Sequence, residues 1–327
     1  MSVPCYPDFT PLSLDIKNIL HPRLSLTADG VSEFTFSGLY LFRNRYHYRV
    51  SRIGPDNGFI VSGEQQQKKF FMTPCEAPDR DILESLFATH DYWKNIPETV
   101  LESSRQQLDE WGIAVSEDRN NFAYLYFRSE LAELAGKKFH KKKNLVNQFL
   151  HTYSHEERPL TRELIPLAIE ILDQWRQDKA ASKADSDQAD VSKASVLQTS
   201  VLQTGVDGDY AAAREALELF DSLPLRGYLY FADGRPAAYC LGESVAKGKM
   251  FAIHFEKAID HYKGMYQFMN QAFAAALPRF FINLNREQDL GDEGLRQAKM
   301  TYRPSGFVKK YTALPTARPA AVQGKTV

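Results

Sequence analysis

Hydrophobic and polar positions follow helical or strand-like spacing along most of the chain. In the first half, this spacing predicts strands over residues 39–48, 58–63, 69–72 and 122–127. It predicts helices over residues 79–89, 98–111 and 161–179, and a long basic helix within residues 131–153. Helices and strands therefore alternate, which is typical of an α/β domain.

The second half repeats this alternation. It begins with a predicted helix over 210–222 and two strands, 227–232 and 236–241. The Asp233-Gly234 pair between these strands is a strong hairpin signal. The remaining predicted elements are strands over 250–256, 278–283 and 307–314 and helices over 264–276 and 294–299. Phe280, Phe281 and Ile282 form an apolar run that indicates a buried strand.

A change in composition separates the two halves. Residues 179–209 are rich in Ala, Ser, Asp, Gln and Lys, and the sequence Ser-Val-Leu-Gln-Thr occurs at Ser195 and again at Ser200. Such a segment has little apolar surface to bury, so it predicts a flexible surface insertion. The expected division is an N-terminal domain at 1–160, a connecting helix and insertion at 161–209, and a C-terminal domain at 210–327.

Charge and cysteine content narrow the class of protein. The 327 residues carry a formal net charge of -1, which excludes a uniformly basic nucleic-acid binder and leaves only a local patch for a polyanion. The three cysteines are far apart and lack metal-ligand spacing, so no metal site is expected. We expect them to be reduced thiols in a cytoplasmic protein. The sequence has neither a signal-peptide pattern nor an apolar stretch long enough to span a membrane.

Two polar segments are candidates for chemistry. Residues 283–304 are dense in Asn, Arg, Glu, Asp and Lys directly after a predicted buried strand, where unpaired polar groups are costly. They either bind a ligand or tie the strand end to the next helix. In the basic helix, Phe139, Val146, Phe149, Leu150 and Tyr153 have the spacing of a core face. The polar side chains expected to face solvent are Lys138, Lys141, Lys142, Asn144 and Gln148.

Clustered lysines concentrate positive potential on one helix face. Their functional interpretation is contact with phosphates of tRNA or of an anionic lipid, through Lys138, Lys141, Lys142 and Asn144. The alternative is a solvated helix face that nearby carboxylates balance. The segment lacks interleaved aromatic residues for stacking bases, so RNA would be recognised by the shape of its backbone.

Three motifs carry a family resemblance: Gly136-Lys-Lys-Phe-His-Lys-Lys-Lys-Asn144, Phe255-Glu-Lys-Ala258 and Asn285-Arg-Glu-Gln-Asp-Leu-Gly291. They resemble the uncharacterised family related to the C-terminal domain of phosphatidylglycerol lysyltransferases, over about residues 39–314. Proteins of this group are similar to the peptidoglycan-bridge aminoacyltransferases. The resemblance implies an α/β (α+β) fold with two tandem domains like the Gcn5-related N-acetyltransferases, each a mixed, mostly antiparallel sheet flanked by helices.

The fold also implies where coenzyme A would bind. Acetyltransferases hold its pyrophosphate on a glycine-rich loop at a helix N-terminus. The matching segment, 261–266, keeps Gly264 but has Tyr266 in place of a second small residue, which should crowd the phosphate. The loop at 73–78 in the first half has no glycine, and its prolines have no N–H to donate. Both loops argue against coenzyme A as the donor.

Within this fold, the ends of the two central strands should form an acceptor cleft. There Glu256 or Glu287 could bind the ammonium of an aminoacyl group, and Arg286 and Arg296 could hold a phosphate or carboxylate. The candidate catalytic residues are Glu256, Asp289 and Tyr302. The candidate substrate-binding residues are Lys257, Asn283, Asn285, Arg286, Glu287, Arg296 and Lys299.

The expected function is transfer of an aminoacyl group from charged tRNA to a lipid or other amphipathic acceptor, with no bound cofactor. One alternative is an acyl-coenzyme A-dependent N-acyltransferase that acts on a small amine. Another is a non-catalytic protein that binds an amino acid or anionic ligand in the cleft between Glu256 and Arg286.

Overall fold

The computed structural model describes residues 2–54, 58–187 and 195–316. Its helices are α1 Lys17–Leu24, α2 Phe36–Leu41, α3 Arg43–Tyr46, α4 Arg80–Thr89, α5 Glu98–Glu110, α6 Arg128–Glu133, α7 His140–Thr152, α8 Ile165–Asp187, α9 Ser195–Glu218, α10 Met265–Ala276 and α11 Glu293–Met300. Its strands are β1 Thr10–Pro11, β2 Arg49–Ile53, β3 Gly58–Gln65, β4 Lys68–Met72, β5 Tyr92–Pro97, β6 Ile113–Glu117, β7 Ala123–Phe127, β8 His155–Pro159, β9 Arg226–Ala232, β10 Arg235–Val245, β11 Met250–Ala258, β12 Asn283–Asn285, β13 Gly306–Val308 and β14 Lys310–Pro315.

The strands form two sheets. The first sheet has the order β1-β2-β3-β4-β5-β14-β6, and the second has the order β13-β7-β12-β11-β10-β9-β8. Strands β4 and β5 run parallel in the first sheet, as do β11 and β12 in the second, and the other neighbouring pairs of the described strands are antiparallel. This confirms the predicted class of two mixed, mostly antiparallel sheets flanked by helices.

Strands cross between the two halves of the chain. The C-terminal strand β14 lies in the first sheet between β5 and β6. Strands β7 and β8, from the N-terminal half, lie in the second sheet beside β12 and β9. The sheets therefore do not follow the expected division at 1–160 and 210–327, because hydrophobic spacing identifies strands without identifying their partners.

A shared core connects the sheets. Buried residues of α2, α8 and α9 pack with residues of both sheets, among them Val50 of the first and Tyr239 of the second. The outer face of the first sheet is covered by α4 and α5, and that of the second by α6, α7 and α10. The second sheet and its outer helices form the frame of the site described below.

The predicted insertion is helical where the structure describes it. Helix α8 continues to Asp187 and α9 begins at Ser195, so both copies of the tandem repeat fall within α9, and residues 188–194 lie outside the described range. This composition is also compatible with a helix, because Ala, Gln, Lys and Leu are strong helix formers.

Two predicted strands are wrong. Residues 39–48 are mainly helical, because the Thr35 hydroxyl caps α2 by accepting a hydrogen bond from the Gly38 N–H at 2.9 Å. Residues 278–282 form a turn, and pairing begins only at Asn283. Phe280 and Ile282 are consequently exposed rather than buried.

A buried ion pair fastens the C-terminal strand to the N-terminal segment. The ammonium of Lys310, on β14, is fully buried and contacts both carboxylate oxygens of Glu33 at 2.6 and 2.5 Å. The amide nitrogen of Asn95, on β5, lies 3.4 Å from the same carboxylate. The pair thus joins three segments that are distant in sequence.

Glu33→Gln should lower the free energy of unfolding by about 3 kcal/mol, because it leaves the buried Lys310 ammonium without a counter-charge. Chemical denaturation would measure the change. The double variant Glu33→Gln with Lys310→Met should recover part of the loss. Glu84→Gln, which breaks an exposed pair with Arg80, is the matched control and should change stability by less than about 1 kcal/mol. Equal effects of Glu33→Gln and Glu84→Gln would contradict this account.

Candidate active site

The candidate site lies where β11 and β12 separate. These strands pair in parallel only from Met250 and Asn283 to Ala252 and Asn285. Beyond that point their carboxyl ends diverge, which is where α/β sheets place ligands. The divergence leaves the backbone after Asn285 free to turn, and Glu287 adopts a positive φ of 56° there.

A β-bulge turns Glu256 toward this opening. Strand β11 pairs with β10 through Ile253 and Gly242 and then through Phe255 and Leu241, so His254 is the extra residue. An inserted residue reverses the alternation of side chains after it. As a result Glu256 lies on the same face of the sheet as Ile253, and the residues on either side of it face the shared core.

His254 is held between two carboxylates. Its Nε2 lies 3.0 Å from Glu243 on β10, and its Nδ1 lies 2.7 Å from Glu287 after β12. Burial alone would lower the pKa of His254, but hydrogen bonds to the two carboxylates outweigh it and raise the pKa to about 10. The imidazolium therefore ties β10 and β11 to the turn after β12.

Glu256 and Arg286 form the centre of the site. Arg286 Nη2 donates to Glu256 Oε2 at 2.6 Å, and the guanidinium lies 4.9 Å from the ring centre of Tyr302 and 5.8 Å from that of Tyr126. Both charged side chains are mostly buried. Within the described part of the chain, Glu256 Oε1 and Arg286 Nε and Nη1 are buried without a hydrogen-bond partner. This buried binding capacity is what a polar ligand requires.

Two lysines add positive charge beside this pair. Lys142 Nζ lies 4.3 Å from the ring centre of Tyr302, and burial together with the charge of Arg286 lowers its pKa. Lys299 donates from its ammonium to the carbonyl oxygens of Arg286 and Glu287, and burial with the charge of Arg286 lowers its pKa to about 8. Lys299 thus supports the strand end, whereas Lys142 reaches the site from α7.

Asp289 occupies a different, closed network. Its carboxylate accepts hydrogen bonds from Arg296 Nε and Nη2, both at 2.9 Å, from Tyr124 at 2.5 Å and from the Gly291 N–H at 2.9 Å, and Arg119 lies 3.4 Å away. Although burial opposes ionisation, these donors lower the pKa of Asp289 to about 2. Saturated and ionised, Asp289 is a poor proton acceptor, and Arg296 is engaged with it. The geometry favours a structural role for both residues.

Three further candidates lie outside the site. Asn285 is fully buried, donates to the Gly30 carbonyl at 2.8 Å and accepts from the Glu287 N–H at 2.8 Å. The ammonium of Lys257 pairs with Asp209 and lies 3.8 Å from the centre of a Trp175 ring, on the shared-core side of the sheet. Asn283 lines a cavity at the opposite end of β12. Alternation along the strands separates these residues from Glu256 and Arg286.

Tyr302 does reach the site, but burial raises its pKa, so its hydroxyl remains protonated and can act as a donor rather than a base. Glu287 contributes through His254. Of the predicted residues, the structure therefore brings together Glu256, Arg286, Tyr302 and Lys142, with Glu287 and Lys299 supporting them.

The basic helix has one inward lysine. Lys138, Lys141 and Asn144 are exposed, and Lys138 pairs with Glu130 at 2.6 Å. The expectation that Lys142 faces solvent is wrong, because that side chain packs above Tyr302. Leu150, expected in the core, is also exposed.

The turn before α10 is closed by α7. Gly264 has a φ of 87°, and a Cβ there would lie 2.4 Å from the Leu145 carbonyl oxygen. The Tyr266 hydroxyl lies 3.3 Å from the Ala258 N–H and accepts its hydrogen bond. Helix α7 therefore packs directly against the backbone of this turn, and the Tyr266 side chain folds back onto the end of β11.

Comparison with known proteins agrees with this frame. Residues 24–314 match the family described as phosphatidylglycerol lysyltransferase, C-terminal. The chain belongs to this family. Among curated proteins, none matches the chain.

Solved structures show the same fold. A conserved protein of unknown function from Bacteroides thetaiotaomicron is 26% identical, with a TM-score of 0.79 over 93% of this chain and 98% of that chain. The C-terminal domain of a putative lysylphosphatidylglycerol synthetase from Agrobacterium fabrum is 13% identical, with a TM-score of 0.56 over 94% of each chain. L-PGS from Bacillus licheniformis is 11% identical, with a TM-score of 0.50 over 87% of this chain and 93% of that chain.

Within residues 2–54, 58–187 and 195–316, no group of three or more His, Cys, Asp or Glu side chains is placed to hold a metal ion. In the same part of the chain, no helix has the length and apolar character needed to cross a membrane.

Sequence reasoning missed Glu243 and Tyr126. Glu243 lies in the strand after the Asp-Gly hairpin, within an otherwise apolar run, and a carboxylate at such a position signals a buried partner. Tyr126 gave no signal beyond its place in a predicted strand. It faces Arg286 because β7, from the N-terminal half, pairs with β12.

The stability contributed by His254 should depend on pH. Its folded-state pKa of about 10 lies above the ordinary value of about 6.5, so the contribution is complete below about pH 6.5 and is lost as the pH rises through 10. The wild-type free energy of unfolding should fall between pH 7 and pH 10, with a slope of up to about 1.4 kcal/mol per pH unit. Denaturation at a series of pH values would measure it.

His254→Gln is the control for this measurement. The variant should be less stable than the wild type at pH 7, and its own stability should lack the His254-dependent fall at alkaline pH. A wild-type curve that parallels the curve of His254→Gln from pH 7 to pH 10 would show that His254 is not a buried imidazolium.

Proposed function

We propose that the protein is an aminoacyltransferase that moves an aminoacyl group from charged tRNA to a lipid or other amphipathic acceptor in the cytoplasm. The observation that carries the proposal is the buried Glu256–Arg286 pair, whose Glu256 Oε1 and Arg286 Nε and Nη1 retain unused hydrogen-bonding capacity. Membership of the phosphatidylglycerol lysyltransferase C-terminal family supports it.

The pair offers complementary groups to an aminoacyl ester. Glu256 Oε1 is an acceptor for the α-ammonium, and the free N–H groups of Arg286 can donate to the carbonyl oxygen as it gains negative charge. Lys142, with its lowered pKa, is the proposed proton acceptor for the attacking hydroxyl or amine.

The proposed reaction is a transesterification if the acceptor is a hydroxyl, and aminolysis of the ester if the acceptor is an amine. The acceptor oxygen or nitrogen forms a bond to the acyl carbon, and the bond from that carbon to the ribose oxygen of tRNA breaks. The proton that leaves the acceptor passes through Lys142 to the released ribose hydroxyl. No further reactant is needed.

The closed turn at Gly264 supports tRNA over coenzyme A as the donor. A Cβ at Gly264 would meet the Leu145 carbonyl oxygen at 2.4 Å, so α7 lies directly against the backbone that a pyrophosphate would need. The exposed Lys141 and Asn144 lie on the same helix as Lys142, and the exposed Lys138 lies in the turn just before that helix. In this proposal they contact the tRNA backbone, while Lys142 reaches the aminoacyl ester.

Glu256→Gln and Arg286→Lys should each lower the rate of lysyl transfer from lysyl-tRNA to phosphatidylglycerol by about 100-fold, since each removes one polar contact to the reacting group. Transfer of radiolabelled lysine into extractable lipid would measure the rate. Glu293→Gln and Arg303→Lys, exposed changes of the same type, are the controls and should retain the wild-type rate.

Wild-type rates in both site variants would refute the assignment of the site. If the wild type transfers nothing from any charged tRNA yet is stabilised by a free amino acid, the protein is a ligand-binding protein and the proposed reaction is wrong.

Lys138→Glu with Lys141→Glu should weaken binding of tRNA at least tenfold and flatten its salt dependence, because two phosphate contacts are replaced by repulsion. Fluorescence anisotropy with labelled tRNA at several salt concentrations would measure both. The matched control is Lys247→Glu with Lys249→Glu, an exposed pair on the hairpin before β11. Equal losses in the two double variants would indicate only a general effect of charge.

A further inference from the structure

Two exposed apolar side chains lie at the end of the second sheet opposite the candidate site. Phe280 and Ile282, in the turn before β12, are 63% and 57% exposed. Large apolar side chains exposed to this extent and only two residues apart mark an interaction surface.

Three basic side chains lie beside these two apolar residues. Arg279, Lys247 and Lys249 are exposed, and the Ile282 N–H donates to the Lys249 carbonyl at 3.0 Å, which fixes the two segments side by side. A cavity of about 330 Å³ opens between them. Its lining contains two lysines and no acidic residue: Ala28, Ala246, Lys247, Lys249, Met250, Ile282 and Asn283.

We propose that this patch, Phe280 and Ile282 with Lys247, Lys249 and Arg279, docks the protein on an anionic lipid bilayer. The apolar side chains enter the interface between headgroups and acyl chains, and the three cations contact the anionic headgroups. The three basic side chains, beside a cavity with no acidic residue in its lining, argue for an anionic surface rather than for a second copy of this chain, whose identical lysines would repel it.

The position of the patch suits an acceptor drawn from that bilayer. Ile282, Leu284 and Arg286 occupy alternate positions in and beside β12 and share a face of the sheet. Four Cα-to-Cα steps of extended chain lead from Ile282 to Arg286, a distance of about 13 Å. Lys142, on α7, contacts Tyr302 beside Arg286, at the other end of β12, so the site and the patch lie at opposite ends of this strand.

The choice of a lipid partner rests on the proposed function, but docking itself requires neither tRNA nor turnover. The test is sedimentation of the full chain with two kinds of vesicle, at about physiological ionic strength. One kind contains phosphatidylcholine alone, and the other also contains about 30 mol% phosphatidylglycerol as the anionic probe lipid. The wild type should bind the anionic vesicles at least tenfold more tightly than the neutral ones.

Two variants separate the parts of the patch. Phe280→Ser with Ile282→Ser should lose at least tenfold in affinity for anionic vesicles, and Lys247→Glu with Lys249→Glu should lose the preference for them. Leu314→Ser, an exposed apolar change on β14 in the first sheet, is the control and should bind as the wild type does. Because the substituted side chains are exposed, thermal unfolding of the variants should match that of the wild type.

Equal binding of the wild type to both kinds of vesicle, no binding at all, or unchanged binding by both double variants would overturn the proposal. A dimer of the wild type that Phe280→Ser with Ile282→Ser dissociates would overturn it in favour of a self-contact. Binding of tRNA, measured in parallel, distinguishes the two hypotheses. If the protein binds vesicles through the patch but does not bind tRNA, tRNA is not the donor and the docking proposal stands. If it binds tRNA but does not bind vesicles through the patch, only the docking proposal is refuted.

Discussion

The buried imidazolium of His254 fixes the geometry on which the candidate site depends. As the extra residue of a bulge, it shifts the alternation of β11 so that Glu256 rather than Phe255 faces the opening. Its two ring nitrogens contact Glu243 and Glu287, which lie on either side of the point where β11 and β12 part. A neutral side chain at this position would leave the buried Glu243 and the partly exposed Glu287 without a counter-charge. The bulge, the strand end and the position of Glu256 are therefore one coupled arrangement.

The polar segment after β12 combines two roles that its composition does not distinguish. Asp289 and Arg296 close a network in which every carboxylate lone pair has a donor. Arg286, three residues earlier, keeps unpaired N–H groups next to Glu256. The saturated network holds the segment in place, and the unsaturated pair has capacity left for a ligand. Satisfaction of hydrogen bonds, rather than residue type, separates support from function here.

Periodicity predicted most of the elements, including the hairpin at Asp233-Gly234 and helices α4, α5, α10 and α11, because each has a clear apolar face or turn signal. The strands that it missed include β1, β2, β5, β6 and β8. Strand β5 buries Lys94 and Asn95, and β8 is exposed along its length, so neither shows the pattern of a half-buried strand. The motifs identified the family, and Glu256 and Arg286 could be selected from them. The sequence could not predict that Lys142 faces inward or that the hydrogen bonds of Asp289 are fully satisfied. Both features depend on contacts between segments far apart in sequence.

The failed strand at 278–282 bears on function as well as on fold. An apolar run that precedes a buried strand would normally be core, yet pairing begins only at Asn283 and leaves Phe280 and Ile282 in contact with solvent. The Ile282 backbone donates to the Lys249 carbonyl and accepts from the Arg128 N–H, both at 3.0 Å, so its side chain is exposed although its backbone is hydrogen-bonded on both sides. The same short strand carries Arg286 at its other end. One three-residue strand thus separates an apolar, cationic surface from a buried ion pair, and the spacing between them is set by backbone geometry rather than by flexible side chains.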